Sequence, residues 1–135
     1  METKFNFKSQ IATDKNQSER LLALGLKKET ADCHWYKPAE YEHDYWFVGV
    51  GESWTTSDIP AWSLHRLIEL CPQQIYIGKR KYPHTLHLIN NECVAYIDDI
   101  GDAYKYHDEG DLYNSLIKCI EWLIEEGYFN KEYLD

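Results

Sequence analysis

The sequence predicts an α+β fold, a mainly antiparallel sheet with about three helices packed on it in a single layer. Three observations carry that prediction. Apolar residues recur at helical spacing in three separated segments. Between those segments lie short aromatic and β-branched runs bounded by turn residues. Asn90-Asn91, in a residue type that tolerates positive φ, folds two of these runs back on each other as neighbours in a meander.

The elements follow in chain order. Residues 1–15 are a polar start expected to fray, with Phe5, Phe7 and Ile11 spaced for a short edge strand. Asn16 with Glu19 three residues later has a capping-box pattern, so the spacing predicts a helix over 17–24, closed by Gly25. Leu26 is then set for the apolar contact that accompanies such a cap. Residues 33–36 and 45–50 read as strands joined by the charged loop PAEYEHD. Asp58 as N-cap and Pro60 in the first turn predict a central helix from about residue 59 to 71. Leu64, Leu67, Ile68 and Cys71 form its apolar stripe, and Pro72 ends it. Strands are expected at 74–78, 85–89, 92–97 and 104–107, with KRKYPH as a loop. Asp111 caps the last helix, which carries Leu112, Leu116, Cys119, Ile120 and Leu123 on one face and stops at Gly127. Tyr128 and Phe129 dock the tail.

At 135 residues the chain makes one globular domain spanning 1–135, long enough to bury an unaided core. Twenty-three acidic against fourteen basic residues give a net charge of −9, which opposes binding to a phosphate backbone, so no nucleic acid is expected as a partner. No stretch approaches the ~20 apolar residues that cross a bilayer, and METKFNFKSQ has no apolar run, which gives no membrane and a cytoplasmic address. Cysteines at 33, 71, 93 and 119 have no close pair and read as small buried hydrophobes in a reducing compartment.

The segments QSERLLALGL, ETADCHWY, DIPAWSLHRLIELCP and WLIEEGY, in that order over residues 17–128, resemble a group of short proteins of bacterial prophages and mobile elements. The most distinctive parts are Thr30-Ala31-Asp32 and Pro60-Ala61-Trp62-Ser63. No activity is assigned to that group, so the resemblance implies a cytoplasmic accessory protein and transfers no catalytic residue.

Chemical motifs are sparse. Gly49-Val50-Gly51 follows a strand, but Trp54 stands where a dinucleotide fingerprint needs its third glycine. There is no C-x-x-C, no H-E-x-x-H and no G-x-S-x-G, so no cofactor, metal ligand or catalytic residue is assigned. His84 and His87, three apart on a strand, point to opposite faces. The acidic residues between Asp98 and Asp111 read as solvated corners and one helix cap, and Lys79-Arg80-Lys81 as a soluble turn. The aromatic group Trp35, Tyr36, Tyr41, Tyr45, Trp46, Phe47 and Trp54 exceeds what a one-sided sheet buries. Core packing takes the larger share, and an exposed patch takes the rest. The chain is therefore expected to be a small acidic protein-interaction or accessory module, not an enzyme, whose partner is a protein met by Trp35, Trp46, Trp54 and Trp62. The alternative is an enzyme or a small-ligand or metal-binding protein with a site assembled from His34, His43 and acidic residues.

Overall fold

The computed structural model describes residues 9–38, 45–51, 55, 57–79 and 82–135. The expected strand through Phe5 and Phe7, the connection carrying Tyr41 and His43, and Trp54, Arg80 and Lys81 lie outside the described residues.

The fold is α+β, with three α-helices and two antiparallel sheets among the described residues. Helix α1, Lys15–Ala23, starts two residues earlier than the sequence suggests, because Asp14 is the cap. Its carboxylate accepts from Gln17 N at 2.7 Å while Gln17 Oε1 accepts from Asp14 N at 3.0 Å, a complete capping box. Gly25, at φ 102°, turns the chain out of the helix, and Leu26 N donates to Leu21 O, so both leucines reach the core.

Strands β1, Cys33–Tyr36, β2, Phe47–Val50, and β3, Ile59–Ala61, form a three-stranded sheet in the order β2-β1-β3. The expected central helix is thus shorter than its sequence signals. Ile59 and Pro60 are extended opposite Trp35 and His34, and helix α2, Leu64–Leu70, begins only after Ser63. The physical reason is a choice of caps. Ser63 Oγ accepts from Arg66 N at 3.1 Å, whereas the Asp58 carboxylate is occupied by Thr55 N and Thr55 Oγ1 at 3.1 and 2.9 Å. Pro60, lacking an N–H, suits an edge strand as well as a first helical turn.

Strands β4, Gln74–Ile77, β5, Tyr82–Ile89, β6, Cys93–Ile97, and β7, Ala103–Asp108, make a four-stranded meander in sequence order. β5 takes in Tyr82, Pro83 and His84, read in the sequence as loop; Pro83 pairs only with Tyr76 of β4, since β6 joins from Thr85 onward. Asn90, at φ 57°, makes the hairpin turn between β5 and β6. Helix α3, Leu112–Glu126, is capped by Asp111 and closed by Gly127 at φ 78°, as the sequence predicts.

Residues opposite one another in register share a face. One face of the meander, with Ile75, Ile77, Leu86, Val94 and Tyr96, packs on Leu67 and Leu70 of α2 and on Leu116, Ile117, Ile120 and Leu123 of α3. Leu21, Leu26 and Trp62 complete this core, and Phe129 closes it from the tail. The three-stranded sheet has a much smaller buried centre of its own, Ala12, Cys33 and Ala61, flanked by Trp35 and Val48.

Candidate functional site

The motifs that the sequence marks as most distinctive meet in space. Trp62 is fully buried, and its indole N–H donates to Thr30 Oγ1 at 2.9 Å. Thr30 Oγ1 in turn donates to Lys27 O at 2.7 Å, and Arg66 Nη1 donates to Thr30 O at 2.9 Å. One residue on, Asp32 accepts from Ser63 N at 2.8 Å and from the Ser63 hydroxyl with its other oxygen. Thr13 completes the junction: its N–H donates to Trp62 O at 2.8 Å, its hydroxyl accepts from Trp62 N, and its carbonyl accepts from Trp35 Nε1 at 2.7 Å. Thr30-Ala31-Asp32 and Trp62-Ser63 are therefore two halves of one hydrogen-bonded joint between α1, the three-stranded sheet and the start of α2. Its side chains act on the chain itself.

That geometry separates the four expected partner-binding tryptophans. Trp62 is enclosed in the core and out of a partner's reach, and Trp35 is half-buried with its N–H committed to Thr13. Trp46 is half-buried under the Lys15 ammonium, 4.5 Å from its ring. Trp54 lies outside the described residues, as does His43. His34 is fully buried beside Gly49, with Nδ1 3.0 Å from Gly51 O. Gly49 makes room for it: a Cβ there would lie 2.7 Å from His34 Nε2. No group of three His, Cys, Asp or Glu among the described residues is placed to hold a metal ion.

The aromatic surface lies instead on the meander. Its face away from the helices carries Tyr76 on β4 and Tyr106 on β7, 54% and 52% exposed, one on each outer strand. Between them the central strands place Thr85 and the exposed His87 on β5, and the fully buried Ala95 and half-buried Ile97 on β6. Two large amphipathic rings thus border a floor made mostly of smaller side chains. The border at the β7 side is acidic, with Asp108 on the strand and Asp98, Asp99 and Asp102 in the β6–β7 turn, where Asp98 Oδ1 accepts from Ile100 N and Asp102 N. The acidic corners read from the sequence are here, shaping turns.

The chain matches no protein-family model, no curated relative and no solved structure.

On the helix side a second aromatic group surrounds Trp122 of α3. The rings of Tyr96, Tyr104, His107 and Tyr128 lie 5.7 to 6.2 Å from it, centroid to centroid. Tyr104 reaches the helix side because the β6–β7 register shifts at Tyr96 and Ile97, a bulge that re-aims one side chain. Tyr128 also lines a cleft of about 230 Å³ with Glu69, Leu70, Cys71, Pro72, Asn130 and Tyr133. Behind it, the neighbouring Cys119 sulfur, and then burial, push the Cys71 thiol well above the ordinary thiol range. Cys119 moves the other way, to about 6, drawn down by the Cys71 S–H and then by His107, against the effect of burial. His107 is itself buried, and its Nε2 has no hydrogen-bond partner. Burial, followed by the two nearby sulfurs, holds Tyr96 firmly in the phenol form, and its hydroxyl donates to Pro72 O at 2.7 Å.

Sequence reasoning missed the Trp122 group and the thiol pair because their members come from four elements far apart in the chain. A search for local clustering finds residues 35–54 first. The one available signal was that Cys71 and Cys119 both sit in helical apolar stripes, which is a statement about faces and not about neighbours.

Proposed function

We propose that the chain is a small interaction module that binds an extended, positively charged segment of a partner protein across the helix-free face of the meander. One observation carries this reading: Tyr76 and Tyr106, more than half exposed, border a helix-free sheet face that is acidic along its β7 side. Tyrosine offers large contact area at low entropic cost and is enriched at interface hot spots. The net charge of −9 favours a cationic partner and speeds its approach. The resemblance of its motif order to that of prophage proteins is consistent with a role as a cytoplasmic accessory protein of a mobile element, acting by association and not by catalysis.

Selection of peptides from a random displayed library on the immobilised full chain tests the proposal. The expected result is enrichment of sequences rich in Lys and Arg that bind more weakly as salt rises from about 0.05 to 0.5 M, in line with a screening length that falls to a few ångströms. Enrichment of acidic or purely apolar peptides, or binding indifferent to salt, would reject it.

A further inference from the structure

The cleft beside α2 has a lining that the interaction surface does not use. The end of α2 forms one side, through Glu69, Leu70 and the two residues after it, and Tyr128 and Tyr133 beyond α3 form the other. The helix side offers acceptors. Pro72 has no N–H, and the Cys71 N–H turns back to Ile68 O at 3.1 Å, so the carbonyls of Glu69 and Leu70 accept no hydrogen bond among the described residues. The Glu69 carboxylate meets Arg66 and His65 through Oε1 alone, at 3.4 and 3.6 Å, which leaves Oε2 over. Among the described residues no Lys, Arg or His lines the cleft.

The tyrosine side is aromatic and held in place. The Tyr128 ring packs on Trp122 at 5.7 Å, and the Tyr133 ring meets the buried Phe129 edge-on at 5.9 Å. Both rings are set before any ligand arrives, and the faces of such rings attract cations. At about 230 Å³ the cleft is smaller than the roughly 300–1,000 Å³ of a drug-sized site, so it suits a small molecule and not a length of polypeptide.

We propose that this cleft binds a small primary amine in its ammonium form, one with a flat apolar body. The ammonium donates to Glu69 Oε2 and to the end carbonyls of α2, which together match its N–H groups, and the body lies between the two tyrosine rings. An anion of the same shape is repelled by Glu69. A neutral isostere leaves the carboxylate without its counter-charge, and a quaternary ammonium keeps the charge but lacks the donors. The cleft is on the helix side of the meander, so this site stands or falls separately from the binding proposed for the opposite face.

The test is a titration of the ¹⁵N-labelled full chain with 2-phenylethylamine at neutral pH, followed by two-dimensional NMR. Saturable shifts are expected at residues 69–72 and 128–133, with a Kd of about 1 mM or tighter. 2-Phenylethanol, phenylacetate and N,N,N-trimethyl-2-phenylethylammonium should each bind at least about tenfold more weakly. Glu69 is half exposed, so Glu69→Gln is expected to fold, and it should weaken the amine by about tenfold. Tyr133→Leu, which removes one ring face, should weaken it as well. The proposal is overturned by the absence of a saturable shift, by the alcohol or the trimethyl compound binding as tightly as the amine, by Glu69→Gln binding as wild type does, or by shifts centred on Tyr76 and Tyr106.

Discussion

The four-stranded meander buries one face under α2 and α3, in a core whose large aliphatic side chains at or near zero exposure include Leu67, Ile75, Val94, Leu116, Ile117, Ile120 and Leu123. Among the described residues the three-stranded sheet has a small apolar cluster of Ala12, Cys33 and Ala61, and depends on hydrogen bonds involving Thr13, Thr30, Asp32 and Ser63. Apolar burial is non-directional and tolerates small adjustments, whereas a buried hydrogen bond loses its partner outright when one group is removed. The same chain thus has one sheet secured by area and another secured by geometry. The first can leave its outer face open for a partner, because its inner face already supplies the stability.

Four substitutions sharpen or break that contrast. Leu123→Ala removes a fully buried side chain of the large core and is expected to cost about 2–5 kcal/mol. Denaturant unfolding should show one transition shifted as a whole; an unchanged midpoint would remove α3 from the core. Gly49→Ala drives a methyl to within 2.7 Å of His34 Nε2 and costs about 1–3 kcal/mol, with the small sheet taking the strain. Asp32→Ala strands Ser63 N–H and its hydroxyl and costs about 1–3 kcal/mol. For both, native-state hydrogen exchange should speed up in β1 and β3 well before β6 or α3. Equal acceleration everywhere would mean that the two sheets open as one unit.

The smallest effect is electrostatic. Glu121 accepts from Arg20 at 3.0 Å, which holds its carboxyl below the usual range, with Lys118 adding to the effect. A depressed folded pKa contributes stability that is fully present above the unfolded value, about 4.3, and is lost as pH falls through the lower folded value. Glu121→Gln should therefore cost no more than about 1 kcal/mol at neutral pH, as for exposed pairs generally, and nothing once the pH lies below the lowered folded value. Melting temperatures of wild type and variant that converge on acidification would bear this out; a gap constant across pH would not.

Much of this architecture was legible in the residues. Gly25, Asp111, Gly127 and Asn90 all do what their conformational preferences demand, because caps and tight turns are decided within a few residues. The central helix was misread where two local signals competed: Asp58 and Pro60 fit a helix start, yet Ser63 is the cap because the pairing of Ile59 and Pro60 with β1 comes from a separate segment of the chain. The tryptophans failed as a surface for a similar reason. Composition counts rings, while burial of Trp62 depends on Thr13 and Thr30 arriving from separate segments. Alternation within β4 and β7 does put Tyr76 and Tyr106 on definite faces, but which face the helices cover is fixed only by tertiary packing.

The comparison ends in one titration. A lysine- and arginine-rich peptide selected on the wild type is measured against Tyr76→Ser and Tyr106→Ser on the meander and against Trp46→Ser beside the small sheet. The account predicts that each tyrosine variant weakens binding by at least about tenfold while the Trp46 variant binds as wild type does. Binding that survives both tyrosine substitutions and collapses on loss of Trp46 would contradict it and return the interaction surface to the three-stranded sheet.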